Sequence, residues 1–176
     1  IQPAYRAENT QKGRYRQFIQ CDIDTFGSKS PLADAEIIAV IYTALRKLNF
    51  DKFTIRINSR QVLFNALEKV GIEDKKLQLS VLQSVDKLDK KPEEEVLAEL
   101  SEKGIDEKTA RKLLEVIKES TPDENLENVF KYLSSLGVDK NYYEFVPFIV
   151  RGLDYYTGPI FETIVEEPKI GSITGG

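Results

Sequence analysis

The chain has 176 residues, with 25 basic and 29 acidic side chains, a formal net charge of −4, one cysteine and no histidine. That length holds one medium core, or a core with a small satellite, and the acidic balance argues against a generally basic nucleic-acid binder, so any RNA contact must be local. The lone Cys21 excludes an internal disulfide framework and, without histidine beside it, argues against a catalytic zinc site; no metal site is expected. No run of 18 apolar residues and no basic-then-apolar N-terminus occur, so a soluble, cytoplasmic protein with no membrane contact is expected.

Residues 4–7 and 14–26 read as two antiparallel strands joined by a polar loop, Glu8 to Gly13. From Arg14 the chain alternates. Arg14, Arg16, Phe18, Gln20, Asp22, Asp24 and Phe26 share one face, and Ile19, Cys21 and Ile23 on the other can pack on a core. Bases at Arg6, Lys12, Arg14 and Arg16 flank the turn at Gly13, and acids follow on the same face. Such a row suits a ligand with phosphates at one end and a cation at the other, or a solvated hairpin of mixed charge.

Ser30-Pro31 offers an N-cap with proline at the first helical position, opening a helix to about Leu48 along Ala35, Ile38, Ile41, Leu45 and Leu48. An alternating strand follows at Phe53–Asn58, with Phe53, Ile55 and Ile57 on its apolar side. From about Val62 to Asn141 helical periodicity takes over. Asp106 and Asp123 are expected to cap helices, and Gly104 and Gly137 stand where helix C-caps belong. Strands resume at 142–150, 160–165 and about 170–174, with Pro159 expected at a strand start or bulge. The economical reading is an α+β fold. One antiparallel β-sheet is formed by 1–61 and 142–176, and a helical insertion domain over 62–141 packs mainly on itself.

In the C-terminal part, Arg151-Gly152-Leu153-Asp154-Tyr155-Tyr156-Thr157-Gly158 follows the apolar run Phe145 to Val150. An always-charged guanidinium at the end of a buried strand needs an anion, either Asp154 of the protein or a ligand.

Arg6-x-Glu8 with Gln11-Lys12-Gly13-Arg14-Tyr15-Arg16-Gln17-Phe18-x-Gln20 resembles motif 2 of the histidyl-tRNA synthetases, which are class II aminoacyl-tRNA synthetases. Arg151 to Gly158 resembles their histidine-specific signature, and Gly171 to Gly176 the glycine-rich strand after it. The resemblance implies ATP-dependent activation of L-histidine and its transfer to tRNA(His), with Mg²⁺ carried on ATP and a homodimer for the whole enzyme. It implies Arg6 and Arg151 as catalytic cations at the α-phosphate. Arg14 would hold the γ-phosphate, Glu8 the adenine amino group, and Phe18 would lie against the purine. Gln20 would take the α-amino group, and Asp24 and Tyr156 the imidazole. Tyr155 would line the pocket, with Arg151 on the histidine carboxylate. Asn9, Gln11 and Lys12 fall on the loop that approaches the tRNA acceptor end.

The chain departs from the family at Pro159, where threonine is commoner. By the family pattern it starts in mid-strand and stops in mid-motif, without motif 1, the motif 3 arginine or the anticodon-binding domain. It therefore reads as a piece of a larger enzyme, expected by itself not to aminoacylate tRNA. Two other readings share the fold: the non-catalytic synthetase-like regulatory subunit of histidine biosynthesis, and a synthetase-like RNA-sensing domain.

Overall fold

Phe53–Ser59 (β3) is the strand against which the rest is laid. Its β-branched and aromatic alternation puts Phe53, Ile55 and Ile57 in the core, and it pairs on both sides. In this computed structural model, which describes residues 1–7, 9–10, 14–151, 155–167 and 171–176, β3 lies second in a four-stranded sheet of order β4-β3-β5-β6. Pro159–Val165 (β5) runs antiparallel to it over seven residues, from Phe53 opposite Val165 to Ser59 opposite Pro159. Ser172–Gly175 (β6) pairs antiparallel with β5 through a bulge at Thr163/Ile164. Tyr143–Phe145 (β4) pairs parallel to β3, so the sheet is mixed rather than wholly antiparallel. A chain that leaves β3 and returns through the long, mostly helical connection of residues 60–142 re-enters from the same end, which parallel pairing requires.

The strand expected over 142–150 is short. A 3-10 turn fills Lys140–Tyr142 and the ladder ends at Phe145, two residues before Pro147, which has no N–H to give. Pro159 stands at the first position of β5, where its missing donor costs nothing.

The N-terminal hairpin forms a second sheet. Gln2–Tyr5 (β1) pairs antiparallel with Gln17–Gln20 (β2), from Gln2 opposite Gln20 to Tyr5 opposite Gln17. The pairing agrees with the alternation, but β2 ends at Gln20 instead of running to Phe26. The apolar side expected to meet a core does not do so: Ile19 is 65% exposed, and Ile23 and Cys21 are exposed too. The reason is topological, since β1 and β2 form a sheet of their own that is not hydrogen-bonded into the larger one.

Pro31–Lys47 (α1) starts as the sequence suggests, Ser30 accepting from the Leu32 N–H with proline at the first turn. Arg60–Lys69 (α2), Lys75–Val85 (α3), Glu93–Glu102 (α4) and Glu107–Lys118 (α5) share one apolar cluster, through Leu63, Leu82, Leu100 and Leu113 among others. Glu124–Ser135 (α6) does not join them. Its Leu126, Val129 and Leu133 pack with Ala35 and Ile38 of α1 and the apolar face of β3. The helices of 62–141 therefore divide between two clusters. The first of these also takes in Ile149, Val150 and Ile160, which ties the α2–α5 bundle to the end of the sheet.

Side-chain caps and glycine stops set the helix ends. Asp106 accepts from Thr109 N–H and Asp123 from Leu126 N–H, the hydrogen bond to Thr109 holding the Asp106 carboxyl below its ordinary value. After α4 the Gly104 N–H reaches Ser101 O and the Ile105 N–H reaches Leu100 O; after α6 Gly137 and Val138 repeat the pair on Ser134 and Leu133. Both glycines have positive φ, 85° and 77°, which a side chain would strain. No helix of the described residues is long and apolar enough to cross a membrane.

Two outcomes test this account. Asp123→Ala removes the α6 cap and is expected to cost about 1 kcal/mol in a urea melt, lowering the midpoint without changing the slope. The second concerns Glu99, which bridges α3 to α4. Its carboxylate accepts from Lys87 (2.6 Å) and Ser84 (2.8 Å), with Lys103 at 3.3 Å. Chiefly the Lys87 bond, then the Ser84 bond, lowers its pKa from 4.5 to about 2. The folded value is depressed, so this contribution is complete above pH ~4.5 and is lost as pH falls towards 2. Melting temperature against pH should therefore drop less steeply over that window in Glu99→Gln than in the wild type.

Candidate active-site face

Across the face of the sheet turned away from α1, registered positions form a charged row. Glu144 of β4 stands beside Arg56 of β3, Arg56 opposite Glu162 of β5, and Glu162 opposite Gly175 of β6. Arg56 and Glu144 approach to 3.8 Å. The row ends on a glycine because something else occupies the space. A Cβ on Gly175 would lie 2.5–2.7 Å from the guanidinium atoms of Arg151. Arg151 lies flat on that glycine, 3.9 Å from the Glu162 carboxylate, with both side chains largely buried.

Arg151 reaches this position with φ 54°, the left-handed region that a non-glycine residue occupies at a cost of roughly 1–3 kcal/mol. Ile149 and Val150 just before it are buried. The anion it needs is supplied within the protein by Glu162; Asp154, the partner suggested by sequence, lies outside the described residues. Sequence held one signal for Glu162, a carboxylate in the middle of an otherwise apolar and hydroxylic strand.

The rings of Tyr155 and Tyr156 are 4.5 Å apart and their hydroxyls 3.4 Å apart. The Tyr156 hydroxyl raises the Tyr155 phenol above its ordinary value, with burial adding to it, while the charges of Arg151 and Arg6 pull the other way. Tyr156 is half-buried against the α2–α5 cluster.

Arg6 comes from the end of β1. Its guanidinium lies 5.3 Å over the Phe18 ring and donates to Gln20 Oε1 at 3.2 Å, and the Gln20 amide in turn donates to Asp22. The structure therefore brings Arg6, Phe18 and Gln20 together on the hairpin, and Tyr155 and Tyr156 together just after Arg151. Asp24 is placed elsewhere. Beyond Gln20 the chain leaves the strand, and Ile23, Asp24 and Thr25 lie along α1, lining with Ile37, Val40 and Leu136 an open groove of about 680 Å³. A continuous strand would have set Gln20 and Asp24 about 13 Å apart on one face; the break at Gln20 removes that constraint. Arg14 and Asn9 are exposed, Arg14 beyond the β1–β2 ladder. Glu8, Gln11 and Lys12 lie outside the described residues.

Comparison with known proteins joins these pieces. The family model described as histidyl-tRNA synthetase matches residues 1–176. The histidine–tRNA ligase of Gloeobacter violaceus is 42% identical, the match covering all of this chain and 42% of that protein. That of Clostridium tetani is 40% identical over all of this chain and 45% of its own length. The crystal structure of histidyl-tRNA synthetase from Nostoc sp. PCC 7120 superposes with a TM-score of 0.84 at 28% identity, covering the whole chain and 46% of that structure. A Bacillus halodurans structure titled as an ATP phosphoribosyltransferase regulatory subunit/histidyl-tRNA synthetase shares the fold over 80% of the chain, at 18% identity and a TM-score of 0.62. The chain spans somewhat under half the length of the curated relatives it matches. A family match that includes both arginine-bearing ends, with a mixed α+β fold that superposes over its full length, places the chain in the histidyl-tRNA synthetase family.

Proposed function

We propose that this chain supplies the ATP- and histidine-handling face of a cytoplasmic histidine–tRNA ligase, which activates L-histidine to histidyl-adenylate and passes it to tRNA(His). The observation that carries this reading is the Arg151 guanidinium, set on Gly175 and 3.9 Å from Glu162 at the start of the tyrosine-bearing motif. Activation is an in-line attack of the histidine carboxylate on the α-phosphorus of ATP. Charge builds on the equatorial oxygens, and two fixed guanidinium groups facing them stabilise it without reorganising. The 3.9 Å gap between Arg151 and Glu162 keeps the guanidinium oriented while leaving its N–H groups for a substrate oxygen.

The remaining roles follow the family pattern. Phe18, already under a cation, offers its ring to the purine, and Glu8 accepts from the adenine amino group. Arg14 meets the γ-phosphate, and Mg²⁺ arrives on the phosphates. Gln20 takes the α-amino group, Tyr155 and Tyr156 line the histidine pocket, and Asp24 closes on the imidazole by a shift of the segment after β2. Asn9, Gln11 and Lys12 face the tRNA acceptor end. The α2–α5 bundle is the inserted unit, and the whole protein acts as a homodimer.

In the complete protein that carries these residues, Arg151→Ala should lower histidine-dependent ATP–pyrophosphate exchange about 100–1,000-fold, with an unchanged circular dichroism spectrum. Exchange at the wild-type rate would make Arg151 merely the ion-pair partner of Glu162. Gly175→Ala drives a methyl group into the end of a flexible side chain, so the guanidinium must move while the strand stays. A displacement near 1 Å predicts a loss on the order of 100-fold in the same assay, and an unaltered rate would show that the seat on Gly175 does not matter.

A further inference from the structure

Three of the four carbonyls before Arg151 are bonded by side chains. Asn58 Nδ2 donates to Pro147 O at 2.8 Å and to Ile149 O at 2.9 Å, and an Arg60 guanidinium N–H donates to Val150 O at 3.3 Å. Asn58 and Arg60 are 0% and 2% exposed. They sit at the end of β3 and the start of α2, so the last turn of the sheet's central ladder reaches over to hold the segment before the strained residue.

Two features mark this as more than core filling. Asn58 uses only the donor half of its amide: two carbonyls take Nδ2, and Oδ1 is buried with no hydrogen-bond partner. The position therefore needs a double donor of fixed length. A leucine would fill the space and leave two carbonyls unbonded, and an aspartate would set a carboxylate against them. Further, the bonded carbonyls lie one, two and four residues before Arg151, whose guanidinium must land on Gly175 beside Glu162.

We propose that Asn58, backed by Arg60, is a positioning residue for the activation reaction. It fixes residues 147–150 so that Arg151 leaves the core in its left-handed turn with the guanidinium over Gly175. The inference rests on the reading of Arg151 as a catalytic cation, and the test separates the two.

The test is a double-mutant cycle on histidine-dependent pyrophosphate exchange in the complete protein, using wild type, Asn58→Ala, Arg151→Ala and the double variant. Asn58→Ala should lower kcat at least about 10-fold, with little change in KM for ATP because the Arg6–Phe18 face is untouched. In the Arg151→Ala background the same change should cost less than about 2-fold, since nothing is left to position. Equal losses in both backgrounds would show a general structural role and overturn the proposal, as would full activity of Asn58→Ala beside a crippled Arg151→Ala. Wild-type exchange by Arg151→Ala would overturn the catalytic reading first and this one with it. If Asn58→Ala does not fold, Asn58→Ser takes its place in the cycle. It keeps one donor on a shorter arm and should show a smaller loss with the same non-additivity.

Discussion

The seven-residue ladder between β3 and β5 is the constraint on which the rest depends. One side of it carries Phe53, Ile55, Ile57, Phe161 and Val165 into the core beneath α1 and α6. The other side cannot be apolar in the same way, because Arg56 and Glu162 face one another across it. On that side charges stand at fixed spacing, and cross-strand register sets the spacing. Each element of the site is placed relative to this pair of strands. Gly175 lies one strand further out, Asn58 and Arg60 come at the ladder's end, and Tyr155 and Tyr156 lie in the turn that leads into β5.

Within this frame the protein accepts local costs close to Arg151. A non-glycine residue holds a left-handed backbone conformation, a buried amide leaves its oxygen unbonded, and a glycine ends the neighbouring strand. Each departs from what would stabilise a plain core, and all gather around one guanidinium. At the helix ends the ordinary rules are kept closely. α2, α4 and α6 end on the same pair of backbone bonds, with a leucine and a following branched residue buried together, as in Leu67 with Ile72, Leu100 with Ile105, and Leu133 with Val138. Local departures concentrated at a single group are what a site built for chemistry produces.

Much was legible in local sequence because the forces that set it are local. Ser30-Pro31, Asp106 and Asp123 start helices through side chains that bond backbone N–H groups two or three residues on, and Gly104 and Gly137 end them through a positive φ. The alternation of Phe53 to Ile57 gave a strand with the right buried side, and Pro159 fell at the one strand position that needs no donor. The two arginine-bearing motifs likewise could be read as motifs, since their residues are close in sequence.

Alternation fails at Ile19, Cys21 and Ile23 because it states which residues share a face, not whether anything covers that face. Periodicity likewise could not tell that α6 packs with α1 while α2 to α5 pack together, since an apolar stripe is indifferent to its partner. The counter-ion of Arg151 could not be chosen from spacing. Glu162 is eleven residues from Arg151, and the pairing of β5 with its neighbours brings its carboxylate to 3.9 Å from the guanidinium. The sequence by itself determined the elements, their caps and the family, because each depends on interactions within a few residues. Only the tertiary structure decided which face is covered, which charge answers Arg151 and that Asn58 holds its backbone, because those depend on strand register between segments about ninety residues apart.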